Sequence, residues 1–146
     1  MRIRKGQLKD FKELIRVLNN TPQLQDYKDG RCYSEEWVKA SIRDQPHNLV
    51  LVADDNGKIG GFLLAEFWKN KSFAEMVDLY VKQEYRQRGI ATLLVNEFEK
   101  VCMERKVTSI SALVLVTNKR MQNFMKKKEY KKGNRFYFFG KDLPKV

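Results

Sequence analysis

Leu79-Tyr80-Val81-Lys82-Gln83-Glu84-Tyr85-Arg86-Gln87-Arg88-Gly89-Ile90-Ala91-Thr92 decides how this chain is read. Its first three residues close an apolar run, Met76 to Val81, with the character of a buried strand. Polar residues and a basic pair follow, then one glycine. From Ile90 the period changes: Ile90, Leu93, Leu94, Phe98, Val101 and Cys102 recur at helical spacing and trace one apolar stripe. The segment is a strand, a tight basic turn and a helix start. The first turn of a helix carries amide N–H groups without intrahelical acceptors and the positive end of the dipole. Gly89 admits a ligand close to the backbone, Ala91 keeps the approach clear, and Arg86 and Arg88 add charge. Together they suit phosphate or pyrophosphate. The same spacing also suits an ordinary strand-turn-helix with a solvated basic turn. Neither a three-glycine dinucleotide fingerprint nor a P-loop is present.

Before this stretch, Arg2 to Lys5 is a short strand, and Leu8, Phe11, Leu14, Ile15 and Leu18 trace a helix face that Pro22 stops. Gln23 to Tyr33 is polar and irregular. Ser34 is a good N-cap for a second helix with Glu35 and Glu36 in its first turn and Trp37, Val38 and Ile42 inward. Leu49 to Ala53 is an apolar strand, Asp54-Asp55-Asn56-Gly57 a hairpin turn, and Ile59 to Trp68 a longer strand. Beyond the helix from Ile90 to about Arg105, Ile110 to Val116 reads as a strand, and Thr117-Asn118 caps a helix reaching about Lys128. Tyr130 to Lys132 and Arg135 to Phe139 are expected to pair around Gly133-Asn134 as a closing hairpin.

At 146 residues, 42% hydrophobic and 32% charged, the chain is expected to form one globular domain over residues 1–146. Met1 to Lys5 is basic but no apolar run follows, and no stretch reaches membrane-spanning length, so a cytoplasmic protein without membrane association is expected. Cys102 falls on the helical stripe and reads as a buried thiol, and His47 stands alone, so no metal is expected. The net charge of +11 is uneven: Lys119 to Val146 holds ten Lys/Arg against two acids, or +8, leaving +3 for the rest. A solvated face, a polyanionic cofactor and a nucleic acid each explain that bias.

Arg86-Gln87-Arg88-Gly89-Ile90-Ala91 resembles the Arg/Gln-x-x-Gly-x-Gly/Ala signature of the GNAT acyltransferase superfamily, and Leu79-Tyr80-Val81 sits where that family's fourth strand ends. The element order is similar over nearly the whole chain. Asn118, Phe124 and Tyr130 resemble a second family stretch, with Met121, Met125 and Glu129 departing at its Ala, Tyr and Gly positions. The resemblance implies an α/β fold: a mixed, mostly antiparallel sheet of about seven strands with about four flanking helices. It implies acetyl-CoA as co-substrate and acetyl transfer to an amine by direct attack in a ternary complex. Arg86, Gln87, Arg88, Gly89, Ile90, Ala91 and Thr92 would hold the pyrophosphate, and the backbone of Leu79, Tyr80 and Val81 would bond the pantetheine arm. Asn118 would order the cofactor side of the splayed strands. An amide at Leu79 or Tyr80 would meet the thioester oxygen as it gains charge.

An amine must be neutral to attack. A lysine with pKa near ~10.4 is free base only about 0.04% of the time at pH 7, and an α-amine near ~8 about 10%, so a base is worth more to the first. Glu75 and Asp78 are candidates, with Glu66 a third; three residues apart on one strand, Glu75 and Asp78 are expected on opposite faces. Each is equally an exposed strand carboxylate. Many family members use a tyrosine as general acid where this chain has Met125, leaving Tyr130 and Tyr137 as the nearest phenols in sequence. The resemblance places the acceptor among Tyr27, Tyr33, Trp37 and the Gly133-Asn134 turn. So short a turn leaves the cleft open, suiting a protein lysine, an N-terminus or another large amine, and net charge disfavours polyamines. The alternatives are a CoA-binding regulatory module without turnover and a basic nucleic-acid-binding domain. Either a monomer or a homodimer is compatible with the sequence.

Overall fold

The Asn56-Gly57 pair takes φ values of 51° and 92°, the positive pair a two-residue hairpin needs, and joins strand β2 (Asn48–Asp55) to β3 (Lys58–Phe67). The computed structural model describes residues 1–24, 33–44, 46–69 and 72–144. Strand β1 (Arg2–Lys5) adds to the outer edge of β2, and β4 (Phe73–Val81) to the far side of β3, all antiparallel. Strand β5 (Ser109–Ala112) then pairs parallel with β4, so the sheet order is β1-β2-β3-β4-β5.

Helices cover both faces. Helices α1 (Phe11–Asn20) and α2 (Glu35–Arg43) lie on one, where Leu14, Leu18, Val38 and Ile42 pack on Val50, Val52, Phe62 and Leu64. Helices α3 (Ile90–Glu104) and α4 (Lys119–Lys127) take the other, where Leu94, Phe98, Cys102 and Met125 pack on Leu49, Leu51, Leu63, Met76 and Leu79. Strands buried on both faces explain why β2 and β3 are continuous apolar runs rather than alternating ones. Burial pushes the Cys102 thiol up to about 11, consistent with an inert core residue. The Ser34 hydroxyl caps α2 by accepting the Trp37 N–H at 3.1 Å, and α1 stops two residues before Pro22. No helix among the described residues is long and apolar enough to cross a membrane.

Two expectations fail at the C-terminal side. Among the described residues the sheet has five strands rather than about seven: β5 ends at Ala112 instead of Val116, and residues 130–144 form neither strand nor ladder. The absence of the closing hairpin shows in its turn. A tight return of that kind needs positive φ in its turn, and neither Gly133 nor Asn134 adopts one.

Candidate active site

The outer edge of β4 changes character at Met76. Phe73 to Met76 pair with Ser109 to Ala112 of β5, and there the ladder ends, while β4 runs on to Val81. On its other side β4 stays paired with β3 throughout, but the register shifts: Met76 faces Ala65 and Asp78 faces Leu64, leaving Val77 as an extra residue, a β-bulge. Past the bulge, the Lys82 N–H donates to the Gly60 carbonyl at 2.9 Å, so by alternation Tyr80 and Asp78 also direct their main-chain groups to β3. The main-chain groups of Leu79 and Val81 point the other way, to the open edge. Of the two amides proposed for the acyl oxygen, Leu79 lies on that edge, whereas Tyr80 is turned toward Phe62.

That edge leads onto the start of α3. A one-turn 3-10 segment, Gln83–Tyr85, carries the chain round, and Gly89 becomes the N-cap of α3 with φ 74°. Gln87 is also left-handed, at 63°. The first intrahelical bond runs from the Leu93 N–H to Gly89 O at 3.0 Å, so the Ile90, Ala91 and Thr92 amides precede it. No side chain caps this end, and nothing lies within 4 Å of where a Gly89 Cβ would stand. The corner is open, not packed by the protein. Arg86 turns back so that its Nε donates to Val81 O at 3.0 Å, placing a guanidinium between the strand edge and the helix start. Arg88 diverges from it and lies over the Tyr85 ring, 5.3 Å from its centroid.

The bulge overturns the expectation that Glu75 and Asp78 face apart. Ala74 and Met76 pack toward α3 and Leu79 does too, so the extra residue at Val77 puts both Glu75 and Asp78 on the α1/α2 face. Glu66 faces Glu75 across β3 on the same side. Asp78 is buried, and the Tyr33 hydroxyl, which donates to Leu24 O at 2.7 Å, lies 3.5 Å from Asp78 Oδ1. Tyr33 in turn packs against Trp37 with ring centroids 5.1 Å apart. The structure thus gathers Asp78, Tyr33 and Trp37. Tyr27 lies outside the described residues.

On the α3/α4 side the expected residues take supporting roles. Asn118 caps α4, its Oδ1 accepting the Met121 N–H at 3.1 Å. Met125 is buried in the core. The Tyr130 hydroxyl donates to Glu99 of α3 at 3.0 Å, and burial together with that bond raises its pKa, both of which oppose release of its proton. Tyr137 is 91% exposed, on a segment outside the sheet. Sequence reasoning passed over Lys82, whose ammonium pairs with Glu13 and fastens the end of β4 to α1. It also passed over the Arg86 bond to Val81 O. Nothing in residue order marks either contact.

A five-stranded α/β/α sheet, splayed at its fourth and fifth strands beside an uncapped helix start, defines an acyltransferase architecture. The chain belongs to the GNAT acetyltransferase family, whose sequence profile, Acetyltransferase (GNAT) family, matches residues 12–130. An acetyltransferase of Sodalis glossinidius is 27% identical over 98% of this chain and 96% of its own. The thialysine N-epsilon-acetyltransferase of Bos taurus is 26% identical over 85% of this chain and 80% of its own. Among solved structures, AAC(6')-Iy in complex with the bisubstrate analogue CoA-S-monomethyl-acetylneamine superposes with a TM-score of 0.75 at 15% identity, over 97% of this chain and 98% of that one.

Proposed function

We propose that residues 1–146 act as one acetyl-CoA-dependent N-acetyltransferase domain, moving an acetyl group to a primary amine without a metal. The observation that supports this reading is the outer edge of β4 beyond Met76, which pairs with no strand among the described residues and runs directly onto the start of α3, with the Val81 carbonyl held by Arg86. The residues fit the co-substrate. A peptide-like pantetheine arm needs main-chain partners, and the main-chain groups of Leu79 and the Val81 N–H offer them, the Val81 carbonyl being taken by Arg86. A pyrophosphate needs oriented amides and cations, and Gly89 to Thr92 with Arg86 supply them. Arg88 stands further out, and Gln87 sets the turn. Acetyl-CoA supplies, when bound, an acetyl group activated as a thioester.

The protein's part is positioning and proton transfer. The Leu79 N–H stabilises negative charge arising on the acyl oxygen. Asp78 is adjacent to Leu79 along the strand, whereas Glu75 lies three ladder steps back, about 10 Å at the strand rise. Asp78 is therefore assigned as the base, taking the proton of the amine directly or through water, with the Tyr33 hydroxyl lying beside its carboxylate. Glu75 and Glu66 make the same face attractive to a cationic acceptor, and Trp37 gives it an apolar wall. No phenol is assigned as general acid: a thiol with pKa near ~8.5 leaves as thiolate without help. A protein lysine, an N-terminus or another large amine is the acceptor class that suits an open cleft.

Calorimetry with acetyl-CoA on the native chain and on Gly89→Asp tests the cofactor half. Binding is expected for the first and loss of at least about 100-fold for the second, from added bulk, strain and charge. Thiol release with a panel of amines and peptides tests turnover. Tight binding without release in any reaction would favour a regulatory CoA-binding module.

A further inference from the structure

Tyr85 stands directly before the Arg86-Gln87-Arg88-Gly89 turn, and no step of the proposed reaction uses it. Residues 82–89 carry the chain from β4 to α3 through two left-handed positions, Gln87 at 63° and Gly89 at 74°. The turn's internal main-chain bonds run from the Tyr85 N–H to Lys82 O at 2.9 Å and from the Arg86 N–H to Gln83 O at 3.2 Å. Arg86 Nε reaches back to Val81, in the strand the turn has just left. Lys82, the first residue, is fastened to β3 through Gly60 O at 2.9 Å and to α1 through Glu13. Beyond Lys82, among the described residues, the one hydrogen bond from the turn to a different element comes from Tyr85. Its hydroxyl donates to Asp55 Oδ2 at 2.9 Å.

β3 is shaped to receive that side chain. Ala53 faces Gly61 and Asp54 faces Ile59, so Gly60 is an extra residue, a bulge. A Cβ on Gly60 would stand 2.9 Å from Tyr85 Cδ1 and 3.0 Å from Cγ, so glycine alone leaves the ring its seat. Asp55 ends β2, and ring and hydroxyl therefore grip both strands of the hairpin. The ring also carries Arg88, whose guanidinium carbon lies 5.3 Å from its centroid. A phenol donating to a carboxylate is polarised toward phenolate, which enriches the ring face that a cation seeks. The same bond raises the Tyr85 pKa, so the hydroxyl stays a donor well above neutral pH.

We propose that Tyr85 is a positioning residue for the diphosphate of the co-substrate: seated on Gly60 and bonded to Asp55, it fixes the start of α3 relative to β4 and holds Arg88 at the rim of that corner. The role rests on the acetyl-CoA site proposed above. A diphosphate must meet the Ile90, Ala91 and Thr92 amides and Arg86 together, and such a cradle works only if its members are held to within about 0.5 Å before the ligand arrives. Gln87 and Gly89, exposed and left-handed, give the turn its direction but do not anchor it.

The test sets CoA binding, by calorimetry, against pantetheine binding, by NMR titration, since pantetheine has the arm without the diphosphate. Tyr85→Phe keeps the ring on Gly60 and under Arg88 but loses the bond to Asp55. CoA affinity should fall about tenfold, with pantetheine affinity within about twofold of native. Asp55→Ala should match it, and the double variant should lose no more than either single one. Asp55→Asn keeps an oxygen to accept from the hydroxyl and should hold CoA affinity within about threefold of native. Unchanged CoA affinity in Tyr85→Phe, an equal loss on pantetheine, or losses that add in the double variant would each overturn the role. A native chain that binds CoA no better than pantetheine would overturn the diphosphate corner itself, a failure seen before any variant is made.

Discussion

The two sides of the sheet are built on opposite terms. From β1 to β3, the strands are paired and the elements locked by ions: Arg4 donates through both terminal nitrogens to Asp10, at 2.9 and 3.0 Å, and through Nε to Asp54 at 2.8 Å. Those bonds raise the Arg4 pKa further and tie β1, β2 and the turn before α1 together. From the Val77 bulge outward, β4 loses its second neighbour, β5 stops after four residues, and the chain beyond α4 leaves the sheet. The closed side spends its hydrogen-bonding groups on itself. The open side aims main-chain groups outward at Leu79 and at the start of α3, and that is where the proposed acetyl-CoA site lies. Apolar content does not separate the two, since the open side carries the more aromatic tail.

The largest expected effect falls on the open side. Asp78→Asn keeps the shape and the Tyr33 contact but removes the base, and kcat should fall by about 10²–10³ with acetyl-CoA affinity unchanged. Glu75→Gln should change kcat by less than about tenfold. If the two variants lose equal activity, the assignment to Asp78 is wrong. Because an α-amine is more often neutral than a lysine, the Asp78→Asn deficit should shrink on a peptide N-terminus and at alkaline pH, which initial-rate profiles would read directly.

Deleting Val77 attacks the comparison itself. Glu75-Met76-Asp78-Leu79 would then alternate regularly, each side chain keeping its face, with only the bulge removed. The β3–β4 ladder should close and β5 be able to follow β4 further. The fold should survive, with acetyl-CoA binding weakened on the order of tenfold or more by calorimetry. Unchanged affinity would mean that the splay has another cause.

How much of this was legible beforehand follows the same division. Asn56-Gly57, Ser34, Pro22 and Gly89 each impose a conformation through their own chemistry, and the hairpin, cap, helix stop and helix start all formed where they stand. Val77 carries no such mark. A bulge is a property of two strands, and a single-residue insertion is invisible when its neighbours are also apolar; it moved Asp78 to the face of Glu75. Gly133-Asn134 has the composition of a turn yet not its φ values. The pairing of Lys82 with Glu13, 69 positions apart in sequence, belongs to the same class of long-range contact.

That last pair gives a test on the closed side. Hydrogen bonding from Arg16, with Lys82 beside it, lowers the Glu13 pKa to about 2 from an ordinary 4.5. A depressed carboxylate contributes stability above its unfolded pKa and loses it as pH falls through its folded one. Native chain should therefore lose stability between about pH 5 and pH 2 that Glu13→Gln does not lose. The group is one-third exposed, so screening limits the difference to about 1 kcal/mol in urea titrations. Equal pH slopes for the two chains would show that β4 and α1 are held by packing alone.

The smallest effect lies at the exit to the tail. Glu129 takes φ 66° just after α4, at the position where the second family stretch has glycine. A left-handed side-chain residue costs roughly 1–2 kcal/mol, and glycine recovers that less its own entropic cost of roughly 0.5–1. Glu129→Gly should therefore raise stability by about 0.5–1 kcal/mol, or about 1–4 °C in Tm for a chain of this size. The Tyr130 N–H bond to Met125 O, which requires that left-handed residue before it, would be kept. Unchanged or lowered stability would mean that the Glu129 side chain makes a contact worth as much as the strain it carries.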